Sequence, residues 1–145
     1  MAMELKMLVL ASLLTVVLAL VGAAALILQR GLRYGFGNRD QPEPLSPWGE
    51  RALRAHRNML ENLAPFAALV LVAQVAGVAN EATAWGAVLF FWGRVAHAVI
   101  YIAGVPYLRT DAFVVSLSGM FRIARELLSH WSSIGPERPD TSLTL

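Results

Sequence analysis

The chain has 145 residues, of which 57% are hydrophobic and 15% charged, with a formal net charge of +2. An ordinary soluble domain carries about 25% charged residues, so this chain lacks the polar surface to cover itself in water. It contains no cysteine, which leaves no disulfide, thiolate metal site or cysteine nucleophile, and it has no basic stripe interleaved with aromatics of the kind that binds nucleic acid.

The first predicted element is a membrane-spanning helix over roughly 5–29. Met7 to Leu28 runs without a charge, with Ser12 and Thr15 its only polar side chains. At about 1.5 Å per residue that run crosses a hydrocarbon core of about 30 Å. A cleavable signal peptide is the competing reading, because Lys6 precedes the run and Ala23 to Ala25 resemble a cleavage site; the run exceeds the usual apolar region of roughly 7 to 15 residues. A loop rich in turn formers follows, through Asp40, Pro42, Pro44 and Pro47. Ser46 before Pro47 reads as an N-cap followed by proline at the first helical position.

The second helix is expected over 47–78, polar in its first half and apolar from Leu63 onward. Ala79, Asn80 and Glu81 make a short connection to a third helix over 82–103, which Gly104 and Pro106 stop. A fourth helix is expected over 111–131, interrupted by Arg122, Arg125 and Glu126. Arg122 and Glu126 are four apart and can pair on one face. A Pro-containing tail over 135–145 is expected to be mobile. The fold class is thus an all-α integral membrane protein with four transmembrane helices in a single domain over 1–145.

Eleven arginines and one lysine set the expected orientation. Arg30, Arg33 and Arg39 lie in the first loop, Arg51, Arg54 and Arg57 just beyond it, and Arg109 in the third; the connection at Asn80 has no basic residue. The positive-inside rule places the first and third loops in the cytoplasm and both termini opposite.

The second helix carries Arg51, Arg54, Asn58 and Glu61, spaced three, four and three, within an arc of about 80°. Arg94, His97 and Tyr101 repeat the pattern on the third. Counting outward from Asn80, Asn58 and Tyr101 lie 22 and 21 residues away, and Glu61 and His97 lie 19 and 17 away. The two polar faces are therefore expected at matching heights near the cytoplasmic leaflet, with Arg109 beneath. One reading is a buried ion-pair network, Arg54 or Arg94 with Glu61. The other is a ligand site: Arg51, Arg54, Arg57, Arg94 and Arg109 outnumber Glu50, Glu61 and Asp111, and surplus buried cation invites an anion. His56 and His130 read as structural or interfacial, and no histidine pair has metal-ligand spacing. Gly93 suits close approach to a neighbouring helix.

The run from Arg51 to Phe66, containing Arg54-Ala-His56-Arg57-Asn58 and Glu61, followed by Gly93-Arg94-Val-Ala-His97 and Tyr101, resembles the signature of the MAPEG family. These are the membrane-associated proteins of eicosanoid and glutathione metabolism. The likeness spans about Arg30 to Phe113 and is nearest to the microsomal prostaglandin E synthase branch, in a bacterial-type homologue of the inner or plasma membrane. It implies a homotrimer with glutathione between subunits and a hydrophobic, lipid-soluble substrate. Arg54, Asn58 and Glu61 would hold the tripeptide, with Arg57, Arg94, His97 and Tyr101 around it and Arg33 on a glutathione carboxylate. Arg109 matches the arginine that stabilises the thiolate. Two departures, a shortened stretch from Tyr101 to Arg109 and Phe113 in place of a tyrosine, bear on the acceptor side.

The resemblance implies a glutathione-dependent transferase or peroxidase acting on hydrophobic electrophiles or lipid hydroperoxides, with a prostaglandin-type isomerase as a narrower version. The alternative is a non-catalytic lipid-binding scaffold. A transporter fits less well, because no inverted repeat is visible.

Overall fold

The computed structural model describes residues 1–38 and 44–133. The described residues form four helices, α1 (Met3–Phe36), α2 (Pro47–Val75), α3 (Glu81–Ala103) and α4 (Pro106–Ser133). Arg39 and the expected mobile tail over 135–145 lie outside the described residues.

Helix α1 outruns its expected end because helical geometry resumes after a break. Gly31 takes φ 77° and ψ 167°, a left-handed backbone that glycine adopts without a Cβ penalty. The residues beyond it fold back, so that a Cβ on Gly35 would sit 2.7 Å from Ile27 Cγ1. Glu4, Ala11, Thr15, Leu18, Gly22 and Ala25 form the buried stripe of α1, at the three- and four-residue spacings, or their sum, of one helical face.

Ser46 occupies the N-cap position of α2 but its side chain does not cap. Its hydroxyl accepts from Gln29 Nε2 at 2.5 Å while its backbone N–H donates to Gln29 Oε1 at 2.7 Å. The serine thus ties the end of the first span to the start of the second. Helix α2 stops at Val75, three residues short of the expectation, where Ala76 and Gly77 turn the chain. Asn80 then caps α3 reciprocally with Thr83: the Thr83 N–H donates to Asn80 Oδ1 at 3.0 Å and the Asn80 N–H to Thr83 Oγ1 at 2.8 Å. Both donors would otherwise be orphaned at the helix start.

The third turn is tighter than expected. Gly104 (φ 84°) closes α3, its N–H donating to the carbonyls of Ile100 and Tyr101, and α4 begins at Pro106 rather than near Asp111. The proline that ends one helix starts the next, because its fixed φ suits the first helical position and its missing N–H is not needed there.

Phe66 and Phe90 stack at the centre of the core, ring centroids 3.8 Å apart, surrounded by Ala11, Leu18, Met59, Val70, Ala87 and Ile123. Helices α3 and α4 pack closest because their facing residues are small. A Cβ on Gly86 would lie 2.8 Å from the Gly119 carbonyl, and one on Gly93 would lie 2.8 Å from the Ser116 backbone nitrogen. The close approach expected at Gly93 is therefore made, and α4 is the neighbour. Around this core large apolar side chains face outward, among them Leu13, Val17, Leu20, Leu28 and Phe121, as lipid contact requires. Helices α1, α2 and α3 are long and apolar enough to cross a membrane. Helix α4 is long enough, but its charged residues leave only Ala112 to Phe121 uncharged between Asp111 and Arg122.

At the Asn80 end, Thr83 donates its hydroxyl to the buried carboxylate of Glu4 at 2.5 Å. Asn80 Nδ2 donates to Glu126 at 3.1 Å. Arg122 does not pair with Glu126: its Nε–H donates to the Ala82 carbonyl at 3.1 Å, and Arg125 takes Glu126 at 3.1 Å.

Candidate functional site

The polar faces of α2 and α3 meet in the half of the bundle away from Asn80, but in a different register from simple counting. Asn58 hydrogen-bonds Arg94 through its side-chain oxygen instead of lying level with Tyr101. Counted from the helix ends, Asn58 is 17 residues before Val75 and Arg94 is 13 after Glu81. At about 1.5 Å per residue the mismatch is roughly 6 Å, which an arginine side chain spans. Residues 76 to 80 add little height because they are not helical.

Arg94 is the most deeply set of the candidates, 1% exposed. Its two terminal nitrogens reach Asn58 Oδ1 and, at 3.4 Å, Ser116 Oγ. Its Nε has no hydrogen-bond partner, and the Phe113 ring centroid lies 5.7 Å from its guanidinium carbon. No carboxylate of the described residues neutralises it: the one ion pair within 4 Å among them is Arg125–Glu126. His97, also buried, packs 5.4 Å from the Tyr101 ring and 6.2 Å from that of Phe113. The exposed guanidinium of Arg109 lies 4.9 Å over the Tyr101 ring. Asn58, Arg94, Phe113, His97, Tyr101 and Arg109 thus form one continuous string of contacts, in which the Phe113 ring joins Arg94 to His97.

The remaining candidates do not join that string. Arg54, Arg57 and Glu61 are exposed on α2, and Arg54 Nε donates to the Glu50 carbonyl one turn back at 3.2 Å. Neither ion pair suggested for Glu61 is formed. Pro65 follows Glu61 by four residues inside the helix, so the Glu61 carbonyl loses its usual backbone donor. Arg33 is exposed beyond the Gly31 break, on a different element from the others.

Arg51 has a different part from that suggested by its place on the polar face. Its Nε–H donates to the Ile102 carbonyl at 2.9 Å, and its guanidinium lies over Gly104, where a Cβ would come within 3.0 Å. It caps the negative end of α3 and so is removed from the cationic surplus. Sequence reasoning missed Ser116 as a partner of Arg94. The available signal was the small-residue stripe Ala112, Ser116, Gly119, spaced four and three, which marks a close helix pair but not which polar group it carries.

An apolar cleft of about 280 Å³ opens on the α3–α4 seam, lined by Trp92, Gly93, Ala96, Ala112 and Val115 among others. Gly93, which lines this cleft, directly precedes Arg94 in the chain.

Residues 6–125 match the sequence model of the MAPEG family. Over 81 residues the chain is 38% identical to prostaglandin E synthase of Mus musculus and 37% identical to that of Rattus norvegicus. Each alignment covers 54% of this chain and 52% of the relative, so the matched region spans about half the length of these curated proteins.

Proposed function

The chain belongs to the MAPEG family, and from that premise we propose that it is a membrane-bound, glutathione-dependent transferase or peroxidase. It would activate the glutathione thiolate for attack on hydrophobic electrophiles or lipid hydroperoxides. The observation that carries this reading is Arg94, a buried guanidinium that has, among the described residues, no partner for its Nε and no carboxylate beside it. A cation taken out of water is costly unless an anion accompanies it, and a tripeptide with two carboxylates supplies one.

Arg54, Arg57 and Glu61, outward-facing on the lone protomer, suit a homotrimer in which a neighbouring subunit closes the site. Glu61 fits the α-amino group of the tripeptide, Asn58, His97 and Tyr101 line it, and Arg33 reaches a carboxylate. In this reading α4 is the fourth membrane pass and the Arg-rich end lies in the cytoplasm. Arg109 has the chemistry to favour a thiolate: an unperturbed thiol of pKa about 8.5 is mostly protonated at neutral pH, and a nearby guanidinium lowers that value. The acceptor would enter from lipid, for which the α3–α4 cleft is apolar and open. Isomerisation of a prostaglandin-type endoperoxide is a narrower form of the same chemistry.

The test is a screen of purified protein in detergent with glutathione and a panel of aromatic electrophiles and organic hydroperoxides. Turnover above the uncatalysed rate is expected with at least one class. Saturable glutathione binding with no turnover on any acceptor would replace the enzyme with a non-catalytic scaffold, and no binding would remove glutathione altogether.

A further inference from the structure

We infer that Ser116, on α4, is a positioning residue for this site: it holds the Arg94 guanidinium in the orientation in which it meets an anionic ligand. Ser116 is fully buried. Its hydroxyl donates to the Phe113 carbonyl at 2.8 Å, which uses the single hydroxyl hydrogen and leaves lone pairs to accept. Arg94 donates to that oxygen at 3.4 Å and to Asn58 from its other terminal nitrogen. The guanidinium is therefore gripped at two corners by two different helices, α2 and α4, while its own stem rises from α3. The Nε edge has no hydrogen-bond partner among the described residues.

The grip depends on how closely α3 and α4 approach. Gly93, next to Arg94, lets the Ser116 backbone come so near that an added Cβ would lie 2.8 Å from its nitrogen and 2.9 Å from its Cβ. A bulkier residue at 93 would push the hydroxyl out of reach of the guanidinium. The same hydroxyl ties down the Phe113 carbonyl, and the Phe113 ring lies beside both Arg94 and His97. One serine thus fixes both the Arg94 guanidinium and the Phe113 carbonyl.

This inference rests on the glutathione reading for its kinetic arm, so the experiment has a second arm independent of it. Ser116→Ala removes the acceptor at almost no change in volume. Losing one hydrogen bond to a charged group predicts a rise of about ten- to a hundredfold at most in the glutathione KM, with kcat kept, because a positioning group for ligand binding acts alike in ground and transition states. In an Arg94→Met background the same substitution is expected to add nothing, since its effect runs through the guanidinium. Equal effects of Ser116→Ala with and without Arg94 would make the serine merely structural and overturn the inference. The second arm follows the guanidinium nitrogen resonances of Arg94, assigned by their loss in Arg94→Lys. Separate signals for the two terminal nitrogens in the wild type, averaged in Ser116→Ala, are expected from a grip at two corners. Signals unaltered by Ser116→Ala would overturn the inference. If the wild type binds no glutathione, the functional reading falls, and the resonance arm alone still decides the role of Ser116.

Discussion

Asn58→Asp is expected to move stability and ligand affinity in opposite directions. Arg94 is 1% exposed and among the described residues meets an amide oxygen, a hydroxyl and an aromatic ring, but no carboxylate. A carboxylate at 58 would stand about 3 Å from the guanidinium; at an effective dielectric constant of about 20 the gross attraction is about 5 kcal/mol. Removing the new carboxylate from water offsets most of that, and Asn58 is only half-buried, so the net gain is about 1 kcal/mol. That corresponds to a Tm increase of a few degrees for a chain of this size. The same carboxylate cancels one unit of the charge that would attract glutathione, and the Kd is expected to rise about tenfold, equivalent to about 1.4 kcal/mol. Asn58→Ala is the control: it strands a buried charged donor at a cost of about 1 to 3 kcal/mol and lowers stability and affinity together. Thermal unfolding in detergent and calorimetric titration with glutathione measure both quantities. An Asp variant less stable than the wild type would refute the shortage of negative charge around Arg94; unchanged affinity would show that the charge is not used for the ligand.

Gly93→Ala is expected to cost about 1 to 3 kcal/mol by overpacking, because the added methyl meets the Ser116 backbone rather than a flexible side chain. Gly22→Ala should cost less, since its methyl meets only the movable end of Leu53; equal Tm losses would argue against rigid α3–α4 contact. Arg109→Ala should abolish the thiolate absorbance of bound glutathione while leaving its affinity largely intact, whereas persistent thiolate at neutral pH would take Arg109 out of the chemistry. Glu61→Gln should weaken glutathione binding about tenfold through loss of a charged contact to the α-amino group, with unfolding unchanged because Glu61 is exposed; a lowered Tm at unaltered affinity would make its role structural.

Much of the architecture was legible in one dimension. Long apolar runs identify spans whatever their neighbours, since a backbone in lipid must satisfy its hydrogen bonds internally. Periodicity places Arg54, Asn58 and Glu61 on one face of α2, and Arg94, His97 and Tyr101 on one face of α3. Errors gathered at the turns. Ser46 takes the N-cap position expected of it with Pro47 next, but its side chain pairs with Gln29 rather than capping, and Pro106 not only stops α3 but starts α4. In both cases local chemistry permits two outcomes and neighbouring structure selects between them.

The sequence by itself determined four helices, their polar faces and the surplus of arginine, because those properties depend on residue type and a fixed helical period. Only the tertiary structure decided how the arginines are used. Arg51 caps α3, Arg122 takes the Ala82 carbonyl, and Arg94 lies buried between Asn58 and Ser116. These assignments follow from helix register and interhelical distance, which non-helical connections of a few residues and the absent Cβ atoms of Gly86, Gly93 and Gly119 control. A shift of a few ångströms exchanges one hydrogen-bond partner for another, and no periodicity along the chain records that distance.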